Sequence, residues 1–115
     1  MEKITIYEKP TCTTCRKVKK ILEEKGVDFE MVNYYIKPFT DSKLRDLLKK
    51  MNMKPSELLR KKELAAKAID LKTESENQIL ETMILDHDLI QRPIVEMGDR
   101  AILARPPEKI YELFD

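Results

Sequence analysis

The 115-residue sequence predicts an α/β fold: a βαβ unit, a run of helices, then a ββα close. Three observations predict it. ITIY (residues 4 to 7) and VDFEM (residues 27 to 31) flank a stretch whose apolar residues recur at helical spacing. From residue 40 to residue 85 the apolar pattern stays helical. After residue 92, two apolar runs fold back on each other about Gly98-Asp99.

Each element follows in order. ITIY is short, apolar and β-branched, the composition of a buried strand. Pro10 and Thr11 break it. The next helix carries Cys15, Val18 and Leu22 on one face, with Ile21 beside them, at i, i+3 and i+4 spacing. Gly26 closes that helix as a left-handed cap. Val27, Phe29 and Met31 alternate with Asp28 and Glu30 as a second strand. A strand, a helix and a strand at this spacing make a parallel βαβ unit with a right-handed crossover. Thr40 or Asp41 caps a helix with the apolar face Leu44, Leu47, Leu48 and Met51. Pro55 opens a further helical turn that turns Leu58 and Leu59 inward. Residues 61 to 72 are ambiguous, with Leu64, Ala65, Ala68 and Ile69 only weakly helical. Glu76 to Leu85 is a helix with the stripe Ile79, Leu80, Met83 and Ile84. In RPIVEMGDRAILARPP, Gly98-Asp99 suits a two-residue hairpin of type II′ or I′. PPEKIYELF then forms a terminal helix, with Pro107 near its first turn and Ile110, Leu113 and Phe114 on its face.

Length and composition allow a single domain, residues 1 to 115, with one core. Charges balance to +1, so no basic excess argues for direct nucleic-acid binding. The start, MEKITIYEK, lacks the apolar run of a signal peptide, and no apolar run is long enough to span a membrane. The expected location is the cytoplasm and the expected state a monomer.

The chain has two cysteines, both in KPTCTTCRK at residues 9 to 17. Three readings compete: a structural disulfide, half a metal site, or a reactive thiol pair. Reducing conditions in the cytoplasm argue against the first. Zinc needs about four Cys, His or carboxylate ligands, and the sole histidine, His87, leaves such a set incomplete; we expect no metal and read His87 as structural. The four tyrosines read as core or rim. Placement favours the third reading. Cys12 falls at the junction of the first strand and the first helix, and Cys15 in the first turn. Free N–H groups and the positive end of the helix dipole stabilise a thiolate there. Arg16 and Lys17 add full charges. A CxxC directly after the first strand of a βαβ unit is the sequence form of a thioredoxin-like redox site.

KPTCTTCRK, LLRKK, LIQRPIV and ARPPEKI occur in this order, and on these four motifs the whole chain resembles the arsenate reductase and Spx family. The resemblance implies a thioredoxin-like fold, with residues 35 to 90 or so as a helical insertion. It implies that Cys12 is the nucleophile. It also implies that Arg60, Arg92 and Arg105, with Arg16 less directly, hold a tetrahedral oxyanion. Arginine suits that task, because its planar fork gives two parallel hydrogen bonds and keeps its proton. Pro93 matches the cis-proline position of thioredoxin-like folds.

Two functions follow from the resemblance. The first is an arsenate reductase working through a covalent Cys12 adduct, with no bound cofactor and an external thiol reductant. Glutaredoxin-coupled members carry a serine where this chain has Cys15, so a Cys12–Cys15 disulfide reduced by thioredoxin competes here with a glutathione and glutaredoxin route. The alternative is an Spx-like redox-sensing regulator that binds RNA polymerase. Against it, the only glycines are Gly26 and Gly98, so the insertion lacks the glycine of the polymerase contact. The ARPPE arginine, which such regulators lack, is present.

Overall fold

A computed structural model describes residues 3–62, 70 and 72–114. The chain forms two compact units, Met1–Lys37 with Arg92–Asp115, and Pro38–Gln91.

The first unit is built on a four-stranded sheet. Its elements are β1 (Ile4–Glu8), α1 (Thr13–Glu24), β2 (Phe29–Asn33), β3 (Ile94–Met97), β4 (Arg100–Leu103) and a 3-10 helix, Pro107–Phe114. The strand order is β2-β1-β3-β4. β1 and β2 run parallel, from Ile4 opposite Phe29 to Glu8 opposite Asn33. β3 returns antiparallel to β1 and pairs in turn with β4. A parallel pair needs a crossover, and α1 supplies it. The mixed sheet and the βαβ…ββα order are those expected from the sequence.

Alternation sorts the strand residues. Ile4 and Ile6 share one cluster with Val18 and Leu22 of α1, Val95 of β3, and Ile110 and Leu113 of the last helix. Leu22 is fully buried, a burial worth about 1.5–3 kcal/mol. Gly26 follows α1 with φ 69°, the left-handed conformation expected of it. At the hairpin Met97 pairs with Arg100. Gly98 has φ 62°, and Asp99 is not among the positive-φ residues. Positive φ at the first turn position alone selects type II′ over type I′. The terminal helix differs from the expected α-helix: it is 3-10 throughout. Its inward residues, Ile110 and Leu113, are three apart, which a three-residue turn stacks on one face.

The second unit is helical among its described residues. Its elements are α2 (Asp41–Met51), α3 (Pro55–Leu58), α4 (Glu76–Leu85) and a 3-10 turn at His87–Leu89. Thr40 caps α2, its hydroxyl accepting the Lys43 N–H at 3.1 Å. Asn52 ends α2 at φ 56°. Ser75 and Gln78 form a reciprocal capping box on α4. Leu59 lies beyond α3 in an antiparallel bridge with Ile90. Leu58, Leu59, Ile79, Leu80, Met83 and Leu89 are all buried. The weakly helical residues Leu64, Ala65, Ala68 and Ile69 lie outside the described residues. Among the described residues, no helix is long and apolar enough to cross a membrane.

Candidate active site

Cys12 is the N-cap of α1, with extended backbone at φ −77°, ψ 121°. Its Sγ accepts the backbone N–H of Cys15 at 3.3 Å. A serine, threonine, aspartate or asparagine oxygen usually takes this place; here a sulfur does, and a thiolate is the better acceptor. The Cys12 carbonyl accepts the Arg16 N–H at 3.2 Å, and the Cys12 N–H donates to the Lys9 carbonyl at 2.9 Å. The Cys12 backbone is thus held on both sides.

The two thiols are free and electrostatically opposite. Burial pushes the Cys12 thiol up, but hydrogen bonds from the Cys15 side chain and backbone, with the charge and a hydrogen bond from Arg92, bring it below its ordinary value. Cys15, 1% exposed on the inner face of α1, is pushed up to about 12, by burial first and then by its hydrogen bond to Cys12. One sulfur is favoured as thiolate and its neighbour is held as thiol. That division suits a pair in which the first thiol attacks and the second resolves.

Arg92 precedes β3 and is 9% exposed, rare for an arginine. Its Nη1 donates to the Tyr35 hydroxyl at 3.4 Å. Its Nε is buried without a hydrogen-bond partner, a costly arrangement for a charged donor. The Arg92 carbonyl accepts from Arg105 Nη1 at 2.9 Å, which ties the two arginines together across the ends of β3 and β4. The Arg92–Pro93 peptide bond is cis, as is Arg105–Pro106. Lys9 Nζ lies 4.8 Å from the centre of the Tyr35 ring.

Arg16 is exposed and its Nε donates to the Pro10 carbonyl at 3.3 Å. Arg60 belongs to the helical unit, half-buried, with its N–H donating to the Leu89 carbonyl at 2.7 Å. His87 sits in the 3-10 turn that ends at Leu89. Among the described residues, no group of three or more His, Cys, Asp or Glu gathers as a metal site would require. Sequence reasoning missed two groups. Tyr35, read there as core or rim, contacts Arg92. Glu8, a charge at a strand end, is buried; only its even position, in phase with Ile4 and Ile6, hinted at that.

The ArsC family model matches residues 7–113. YfgD, an uncharacterised Escherichia coli protein, is 36% identical over 97% of both chains. The arsenate reductase of Haemophilus influenzae is 32% identical, covering 96% of this chain and 97% of its own. The global transcriptional regulator Spx of Lactiplantibacillus plantarum is 28% identical over 80% of this chain and 71% of its own. Among solved structures, an arsenate reductase from Vibrio cholerae superposes with a TM-score of 0.88 at 26% identity, covering 96% of this chain and 97% of that one.

Proposed function

The chain belongs to the ArsC family, and from that premise we propose that it is a thiol-dependent arsenate reductase acting through Cys12. The observation that carries this reading is the pairing of an acidified Cys12 thiol with a buried arginine whose Nε has no partner. A nucleophile beside an unsatisfied cationic donor suits a small oxyanion.

The steps balance. Cys12 sulfur bonds to arsenic, one arsenate oxygen leaves as water, and a Cys12–S–AsO3 adduct remains. A second thiol then attacks the Cys12 sulfur. The S–As bond breaks with its electron pair staying on arsenic, so arsenic(V) becomes arsenite and the two sulfurs form a disulfide. Arg92 and Arg105 hold the oxyanion in both steps. Arg16 and Arg60 take that role on the resemblance alone, and Pro93 is the structural proline beside Arg92. Cys15 is the second thiol, and thioredoxin returns the pair to dithiol. If Cys15 is bypassed, glutathione and glutaredoxin serve instead. The chemistry takes place in the cytoplasm, in a monomer, without a bound cofactor.

The test is arsenate-dependent NADPH oxidation with purified protein, run separately with the thioredoxin and the glutaredoxin systems. Turnover with either supports the reading, faster with thioredoxin if Cys15 resolves. No turnover with both systems overturns it. The similarity to Spx keeps a regulator reading open, and capture of the RNA polymerase α subunit by the protein, with no arsenate turnover, would favour it.

A further inference from the structure

β1 presents Ile4 and Ile6 to the core cluster beneath α1. The next residue in that phase is Glu8, not another aliphatic. Glu8 is 6% exposed, and its Oε2 is buried with no hydrogen-bond partner. A carboxylate in such a place is expensive to keep. Burial pushes it above its ordinary value, and Lys19 offsets this only in part.

The cost is spent beside Cys15. Glu8, Cys15 and Met31 line a cavity of about 200 Å³ that Lys9, Arg16 and Lys19 also line. A water occupies roughly 30 Å³ of liquid, and polar walls hold it in place. Arg16 and Lys19 are exposed, so the cavity leads from the buried carboxylate to solvent. Other charged groups stay out of it. β2 contributes Met31, and its Asn33 is the register partner of Glu8; neither titrates. Glu96 of β3 accepts from the Tyr7 hydroxyl at 2.8 Å, on the opposite face of the sheet. The cationic residues that share the cavity with Glu8 are Lys9, Arg16 and Lys19, and the charge that acts on its carboxylate is that of Lys19.

A buried Cys15 thiol cannot attack until it loses its proton, and burial and the Glu8 charge both hold that proton in place. We propose that Glu8 is the proton acceptor for Cys15, through cavity water, when Cys15 attacks a sulfur adduct on Cys12. For a mixed disulfide the step is this. The Cys15 S–H bond breaks and its proton passes by water to the Glu8 carboxylate. The sulfur's electron pair forms the bond to Cys12. The bond from Cys12 to the outer sulfur breaks, and that sulfur leaves as a thiolate. Cys15 is oxidised and the outer sulfur reduced. Glu8 then returns its proton to solvent past the basic rim. The inference rests on Cys15 being the resolving thiol, not on arsenate.

The alternative role for Glu8 predicts the opposite sign. Its negative charge also disfavours a Cys15 thiolate. If charge alone mattered, Glu8→Gln would speed the attack. If Glu8 takes the proton, Glu8→Gln slows it. The reduced protein is mixed with dithiobis(nitrobenzoate) in a stopped-flow device. Attack by Cys12 releases a first thionitrobenzoate, and attack by Cys15 on the mixed disulfide releases a second. Cys15→Ser identifies the second phase by abolishing it. Glu8→Gln should slow the second phase about 100-fold at neutral pH. Its rate should then climb with alkali as the thiol itself ionises, and Glu8→Asp should restore part of the loss. A second phase in Glu8→Gln that is unchanged or faster overturns the proposal. Should that variant fail to fold, the wild-type profile decides. A plateau above the carboxylate range supports a Glu8 acceptor, and an unbroken rise of about tenfold per pH unit between roughly pH 5 and pH 9 overturns it. The probe contains no arsenic, so failure of arsenate turnover leaves this result untouched.

Discussion

Arg92→Gln removes a full positive charge next to Cys12. A counter-charge within about 4–6 Å lowers an acid by roughly one to three pH units. Arg92 acts on Cys12 through its charge and a hydrogen bond, after burial and the Cys15 hydrogen bonds. Burial of both groups, at 8% and 9% exposure, limits solvent screening. The Cys12 thiol should therefore rise toward its ordinary value, which slows its alkylation at a given pH. The assay is the rate of iodoacetamide alkylation against pH, with the label placed on Cys12 by mass spectrometry. Arg92→Lys supplies the contrast. It keeps the charge and loses the planar fork, so the alkylation profile should stay near wild type. Losing one charge-assisted hydrogen bond of about 1.5–3 kcal/mol should lower kcat/KM for arsenate about 10- to 100-fold. An alkylation profile unmoved in Arg92→Gln would refute the electrostatic link. Wild-type kcat/KM in Arg92→Lys would refute the oxyanion fork.

Three further outcomes are expected. Cys12→Ser should abolish turnover and keep the thermal unfolding midpoint close to wild type, since serine also caps a helix; retained arsenate reduction would move the nucleophile elsewhere. Cys15→Ser should lose thioredoxin-coupled turnover and keep a glutaredoxin-coupled route, measured side by side; full thioredoxin coupling in that variant would make Cys15 a packing residue only. Cys15 also sets an alkaline limit. Its folded-state value, about 12, lies above the ordinary 9.0, so its contribution to stability is complete below pH 9.0 and is lost as pH rises toward 12. The full loss is about 4 kcal/mol, of which about 3 kcal/mol falls by pH 11, read as the difference between wild type and Cys15→Ala in urea unfolding at pH 8 and pH 11. Equal losses in both proteins would contradict it.

Much of this was legible because it is local. The turn at Gly98, the cap at Gly26, and the placement of Cys12 and Cys15 in one helical turn depend on residues a few positions apart. What stayed hidden depends on distance along the chain. Tyr35 reaches Arg92 across 57 positions, and no pattern in the sequence pairs them. Glu8 ends a strand, where a charge ordinarily meets water; α1, laid over that face of the sheet, encloses it. The terminal helix was found but its type was not, since Ile110 and Leu113 share a face in either geometry. Arg92 offered no sign of burial, because arginine is mostly exposed.

The sulfur of Cys12 has a second employment. It holds the first turn of α1 in place through the Cys15 N–H, a cap of the kind worth about 1 kcal/mol. Any adduct on that sulfur draws away the electrons that the N–H shares. The backbone at the start of α1 is then tightest when the thiolate is ready and looser while the sulfur is occupied. Amide hydrogen exchange at Cys15 would follow that cycle with no view of the chemistry itself.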